Sequence, residues 1–247
     1  MKGVSFIITT LNAQRSLDRC LQSLASQKFP KAMFEVLILD GGSTDQTKNI
    51  TKKYVKEINL RFINAGSKDN QEGRRLLGFR KSKYDYVCIL DSDNYLGQDD
   101  WISQMVSPLD KNSELVASYT RYYRYDPKQT LFNRYLALIG GTDPVVYYMG
   151  KADRQSWAET PLNQVEILKF DKNNFPTLGS NGSVIRKNVI NFKSLSADNF
   201  FHTDILYDLL DEGKNTYARV NTMFVHDTGS TFAEQIARRY KYMSIHH

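Results

Sequence analysis

The chain has 247 residues, 41% of them hydrophobic and 24% charged, and a mean hydropathy of −0.49, which excludes a disordered segment and a membrane-embedded bundle. No run of about 18 uncharged apolar residues occurs, so no segment reads as a spanning helix. The net charge of +6 favours anionic partners, and two cysteines, Cys20 and Cys88, without metal-ligand spacing suit a reducing, cytoplasmic compartment.

The first hundred residues alternate apolar strand runs with amphipathic segments. Residues 4–9 read as a buried strand, with no cleavage site behind them to suggest a signal peptide. Residues 16–27 form a helix with Leu17, Cys20, Leu21 and Leu24 on one face. A strand over 34–40 ends on Asp40, and a helix opens near Asp45 after Gly41 and Gly42. A short strand over 60–63, a basic helix over 72–81 and a strand over 86–90 ending on Asp91 complete the series. This order predicts an α/β single domain with a mostly parallel sheet flanked by helices. Ligands in such folds bind at the carboxyl ends of the strands. Three polar clusters fall there, at residues 9–12, 40–45 and 91–94.

The second half is less regular. A strand is expected over 115–123, a helix over 131–139, a long connection over 140–174, and a strand over 183–186. A helix over 203–212, an extended stretch over 217–225 and a basic last helix over about 232–243 follow. Loops as long as the connection are usually functional.

Asp91-Ser92-Asp93 places two carboxylates one residue apart at a strand end, where both can share a divalent cation and a ribose. The competing structural role is an Asx-turn. In Asp40-Gly41-Gly42-Ser43-Thr44, the glycines permit close backbone approach to a ligand and the carboxylate can accept from a base or ribose; otherwise Ser43 or Thr44 caps a helix. The first strand lacks a dinucleotide fingerprint, and no Walker lysine motif occurs.

Residues 4–12 (VSFIITTLN), 36–45 (VLILDGGSTD), 73–78 (GRRLLG) and 89–93 (ILDSD) together resemble the nucleotide-binding half of the family 2 glycosyltransferases. The resemblance implies the GT-A fold, a Rossmann-like sheet, and inverting transfer from a nucleotide sugar with Mn²⁺ or Mg²⁺. Residues 1–100 would be the donor and metal half of one domain spanning 1–247, and residues 101–247 the acceptor half. By the same resemblance Thr9, Leu11 and Asn12 would cradle the base, Asp40 with Gly41 would meet uracil or ribose, and Arg75 would lie near the sugar-nucleotide. Asp91 and Ser92 would contact ribose or donor sugar, and Asp93 would hold the metal. His226 stands where some GT-A enzymes have a further metal ligand, and Arg238 and Arg239 where relatives place basic residues over the diphosphate.

The general base of an inverting transfer is assigned to Asp204, with Asp198 and His202 in reserve. Relatives have Glu before this Asp where the present chain has Thr203, so a cap at Thr203 with a dipole-stabilising Asp204 is the alternative. The expected donor is a UDP-sugar, the acceptor a hydroxyl of a cell-surface glycan or a polyprenyl-linked glycan, and the place the cytoplasmic membrane face. The apolar, aromatic stretch at 138–148 is expected to be an acceptor-side or membrane-facing loop. A non-catalytic nucleotide-sugar or glycan-binding module and a sugar nucleotidyltransferase are the alternatives. Nucleic acid is not an expected partner, because the cations are scattered among carboxylates.

Overall fold

The structure is a computed structural model that describes residues 2–66, 70–141, 144–179, 181–192, 195–196, 200–229, 231–237 and 240. The first half follows the hydrophobic pattern: β1 (Val4–Thr10), α1 (Leu17–Ala25), β2 (Phe34–Asp40), α2 (Thr47–Tyr54), β3 (Leu60–Asn64), α3 (Gln71–Lys81) and β4 (Tyr86–Ile89). β1, β2 and β4 are buried along their whole length, as expected of central parallel strands. Their side chains alternate between two cores. Phe6, Ile8, Val36, Ile38 and Cys88 pack with α1 and α4, and Ile7, Leu37, Leu39, Val87 and Ile89 pack with α3 and α7. Each fully buried Leu, Ile or Phe contributes about 1.5–3 kcal/mol to holding the layers together.

The remainder comprises β5 (Asn94–Leu96), α4 (Trp101–Lys111), β6 (Ala117–Tyr123), α5 (Leu131–Ile139), α6 (Pro144–Tyr148), β7 (Val165–Lys169), β8 (Ser183–Arg186), α7 (Asp204–Asp208) and β9 (Thr216–His226). Among the described residues all strands join one nine-stranded sheet in the order β3-β2-β1-β4-β8-β6-β9-β5, with β7 on β9. The parallel arrangement runs from β3 to β4 and recurs at β6 and β9. β8 enters antiparallel to both β4 and β6, so the second half makes the sheet mixed. The strand β7 lies inside the long connection. Its short alternating run, Val165-Glu166-Ile167-Leu168-Lys169, pairs with β9 and leaves one face open to solvent. Trp101 of α4 is fully buried between Phe6 and Phe224, with ring centroids 6.4 and 6.2 Å away, and so ties the two halves together. Among the described residues no helix is long and apolar enough to cross a membrane.

Candidate active site

The carboxyl ends of the adjacent strands β2, β1 and β4 form one crevice. On its β2 side, Asp40 is register-paired with Thr10 and almost wholly buried. Its Oδ1 accepts from Thr10 Oγ1 at 2.8 Å and Ser43 Oγ at 2.5 Å, and its Oδ2 from Gly42 N at 3.0 Å and Ser43 N at 2.8 Å. Burial alone would raise this carboxyl; the bonds from Ser43, Thr10 and Gly42 outweigh it and hold Asp40 below the usual carboxylate range. Both oxygens of Asp40 are therefore engaged by its own turn and by Thr10 of β1. The neighbouring Asn12 sits at φ 52°, a conformation asparagine tolerates, and its Oδ1 accepts from Thr44 N at 2.9 Å. Gly41 lacks a side chain where a Cβ would stand 2.8 Å from Arg74 Nη1, so the arginine reaches the loop. Leu11 is exposed on the rim, and Thr9 is buried beneath it.

At the β4 end, Asp91 is clamped from two sides. Arg75 Nη2 donates to its Oδ1 at 2.8 Å, and Asn181 Nδ2 to its Oδ2 at 2.7 Å, while Asp91 N donates back to Asn181 Oδ1 at 2.6 Å. Burial works against ionisation here, but Arg75 and the Asn181 bond prevail and keep the carboxyl below its ordinary value. The clamp continues inward: Arg154, wholly buried, donates through Nη2 to the Asn181 carbonyl and stacks over the Tyr123 ring at 4.5 Å. Asp153 neutralises Arg154 through a direct ion pair.

Arg75 also joins α3 to the segment before α7. Its Nη1 donates to Glu72 Oε1 at 2.5 Å and lies 2.9 Å from His202 Nδ1. His202 Nδ1 lies 2.9 Å from the same Glu72 oxygen, and His202 N donates to Glu72 Oε2 at 3.0 Å. His202 is thus tied into a cluster with Glu72 and Arg75. Asp204 is exposed in the first turn of α7; partial burial of its carboxyl and repulsion from Asp208 raise it above the ordinary value. Thr203 has helical dihedrals and makes no side-chain capping bond, so the cap weighed as the alternative is not formed.

The antiparallel β5–β9 ladder pairs Asn94 with His226. That register brings Asp93 Oδ2 to 3.7 Å from His226 Nε2, and Asp93 Oδ1 accepts from Asn94 Nδ2 at 2.9 Å. The His226 Nδ1 atom is buried without a hydrogen-bond partner. Among the described residues no group of three or more His, Cys, Asp or Glu side chains could hold a metal ion. Asp93 and His226 fit an ion that draws its remaining ligands from phosphate oxygens and water, as small divalent cations commonly do. Ser92 stands partly exposed between the two aspartates. Arg238, Arg239 and Asp198 lie outside the described residues.

Sequence reasoning did not single out Glu72, Asn181 as the Asp91 partner, or Arg154. Glu72 is hidden among the charges of α3 and Arg154 in the long connection; only the Gly-Ser-Asn-Gly run around Asn181 carried a local signal.

Comparison with known proteins bears on the fold and the family. Poly(ribitol-phosphate) beta-N-acetylglucosaminyltransferase TarS of Staphylococcus aureus strain Mu50 is 34% identical over 100 residues, 40% of this chain and 18% of TarS. Chondroitin synthase of Pasteurella multocida strain Pm70 is 34% identical over 124 residues, 49% of this chain and 12% of that protein. The chain thus spans less than a fifth of the length of either relative. The crystal structure of S. aureus TarS 1-349 in complex with UDP superposes with a TM-score of 0.59 at 19% identity, covering 92% of this chain and 58% of that one. The mannosyltransferase PcManGT from Pyrobaculum calidifontis, in complex with GDP-Man and Mn²⁺, gives 0.58 at 13% identity, covering 92% and 57%. The model of the family "Glycosyl transferase family 2" matches residues 5–191, most of the chain and every element that builds the crevice except α7 and β9, and the chain belongs to that family.

Proposed function

We propose that the chain is an inverting glycosyltransferase that moves a sugar from a nucleoside-diphosphate sugar, preferably a UDP-sugar, to a hydroxyl of a cell-surface glycan or lipid-linked acceptor. The observation that carries this reading is the doubly clamped, ionised Asp91 beside the Asp93–His226 pair at the open carboxyl end of the sheet. The TarS and PcManGT structures, which hold UDP in one case and GDP-Man with Mn²⁺ in the other, support it by shared fold.

In this reading Asp91 has one face left for a ribose or sugar hydroxyl, because Arg75 and Asn181 hold its carboxylate still. Asp40 keeps its loop in shape, and the base is read by the backbone around Thr9, Leu11 and Asn12 and by the turn at Gly41. Asp93 and His226 are the residues that would hold a divalent ion, which when bound would supply positive charge against the leaving diphosphate. One oxygen and one imidazole nitrogen suit Mn²⁺ better than Mg²⁺. Asp204 takes the proton of the acceptor hydroxyl; its raised pKa makes it a stronger base than an ordinary aspartate. His202, tied to Glu72, orients the start of α7 and so positions Asp204. On the acceptor side, the exposed Leu138, Val145, Tyr147 and Tyr148 form an apolar rim that meets the acceptor lipid or the cytoplasmic membrane face. Limited proteolysis there slows in the presence of liposomes or acceptor lipid; unchanged cleavage would remove the basis for that contact.

Calorimetric titration with UDP, GDP, CMP and ATP, each with and without Mn²⁺, on the native chain and on Asp93→Ala tests the reading. Metal-dependent binding of one nucleoside diphosphate, lost in the variant, is the expected result. Absence of metal-dependent binding to any of them would overturn it.

A further inference from the structure

The pole of the sheet opposite the crevice carries a cavity. The chain enters β4 through Lys83, Tyr84 and Asp85, and β8 leaves beside it through Arg186 and Lys187, because Tyr86 and Arg186 are register partners in the antiparallel pair. There a cavity of about 420 Å³ gathers the cationic side chains of Lys2, Lys83, Arg186 and Lys187, against Asp85 as its one carboxylate. Among the described residues none of the four cations makes an ion pair. Three other buried arginines, Arg75, Arg121 and Arg154, each have a directly paired carboxylate.

Arg186 is the sharpest case. It is 7% exposed, and its guanidinium meets only neutral oxygens: Nε donates to the Leu115 carbonyl at 2.7 Å, Nη2 to the Asn112 carbonyl at 2.8 Å and to that of Leu109, and Nη1 to Tyr86 Oη at 3.4 Å. Tyr86 Oη passes the contact on to Asp110 Oδ1 at 2.9 Å, so the nearest carboxylate to Arg186 is one side chain removed; a largely buried guanidinium with no directly paired carboxylate favours an anion beside it. Aromatic faces line the same cavity: Tyr84 with Lys83 Nζ 4.8 Å from its centroid, and Phe192 with Lys187 Nζ 6.0 Å away. Cations beside ring faces match a ligand that combines oxyanions with the C–H face of a sugar or polyol. A larger cavity of about 500 Å³ elsewhere has Lys111 as its only charged lining residue and shows no such convergence.

We propose that this cavity binds an anionic saccharide or polyol phosphate, as a site separate from the donor crevice. Asp85 and Asp91 stand at opposite ends of β4, roughly 20 Å apart at about 3.3 Å per residue, so one ligand does not have to displace the other. The site is independent of the transferase reading, since it follows from the cavity alone.

The test is binding of a ribitol-phosphate oligomer and a chondroitin hexasaccharide, with neutral maltohexaose as control, to the native chain, to Lys83→Glu/Lys187→Glu and to Asp91→Asn. The anionic oligomers bind the native chain and Asp91→Asn equally, bind the charge-reversed chain at least about tenfold more weakly, and outcompete maltohexaose. Should Lys187→Glu unfold the chain, as its Nζ bond to the Ser82 carbonyl allows, the exposed pair Lys2→Glu/Lys83→Glu takes its place. Failure of the anionic oligomers to bind, binding indifferent to charge reversal or to ligand charge, or loss in Asp91→Asn would each overturn the proposal. Loss of nucleotide binding in Asp93→Ala with this site intact would leave the two readings separately decided.

Discussion

Asn181 does the work at the residue scale that the Asp91-Ser92-Asp93 run cannot do alone. A free aspartate at a strand end samples several rotamers, whereas bonds of 2.6 and 2.7 Å to one amide fix both the backbone and the carboxylate of Asp91. Asn181→Asp replaces a donor by a carboxylate facing Asp91. At neutral pH its kcat/KM falls about 10–100-fold, the equivalent of about 1.5–3 kcal/mol for one charge-assisted bond. Relative to the native enzyme, activity recovers on acidification, because two facing carboxylates share a proton. A pH–rate profile separates this from a packing defect, whose deficit would not change with pH. For Asp204→Asn, kcat falls by about 10²–10⁴ with donor affinity unchanged, as expected when a general base is lost. With Asp204 as the proposed base, kcat of the unmodified chain is expected to decline as pH drops through its raised pKa, because the carboxylate is then protonated. A variant retaining full kcat would transfer the role to His202 or Asp198. These single residues were unevenly visible in the sequence. Asp91 and Asp93 announced themselves by position after an apolar strand, but the amide that orients Asp91 lies 90 residues further on, and no periodicity links the two.

Helix α3 is the element on which both sides of the crevice depend. It presents Arg75 to Asp91 and Glu72 to His202, so its height over β1 sets two arms of the site at once. That height is set by Gly78, where an added Cβ would stand 2.4 Å from Ile7 Cγ2. In an ordinary helix interior Gly→Ala stabilises by up to about 1 kcal/mol. Here Ile7 is fully buried and has nowhere to go, so Gly78→Ala destabilises by about 1–3 kcal/mol, the usual cost of overpacking. Urea unfolding checks the sign, and a rise in KM for the donor checks that α3 has lifted. The strand β9 is the corresponding element of the second half. Its ladder with β5 places His226 beside Asp93. The sequence showed an extended run ending at His226 but not its partner, because β5 is three residues long and carries no pattern of its own.

For the molecule as a whole, the ionised carboxylates of the crevice couple function to stability. Asp40, Glu72 and Asp91 all titrate below their ordinary values, each because hydrogen bonds or cations outweigh the effect of burial. A depressed folded-state pKa contributes stability that is present above the unfolded value near pH 4 and is lost as pH falls through the folded values. Stability measured by urea unfolding therefore declines from about pH 4 downward. Arg75→Met removes the cation shared by Glu72 and Asp91, so it lowers stability above about pH 4 and makes the decline below it shallower, because the folded-state pKa values move up toward the unfolded ones; an unchanged profile would show that Arg75 does not hold these groups ionised. The sequence by itself determined the order of strands and helices through β4, the two-faced burial of β1 and β2, and the arrival of Asp40 and Asp91 at strand ends, because apolar periodicity and glycine turns are local. Only the tertiary structure decided that β8 returns antiparallel between β4 and β6, that Asn181 clamps Asp91, that Glu72 meets His202 130 residues away, and that four cationic side chains converge at the far pole. Those contacts arise from strand register and from the packing of layers, which balance loop-closure entropy against buried surface over the whole chain and leave no trace in any short window of sequence.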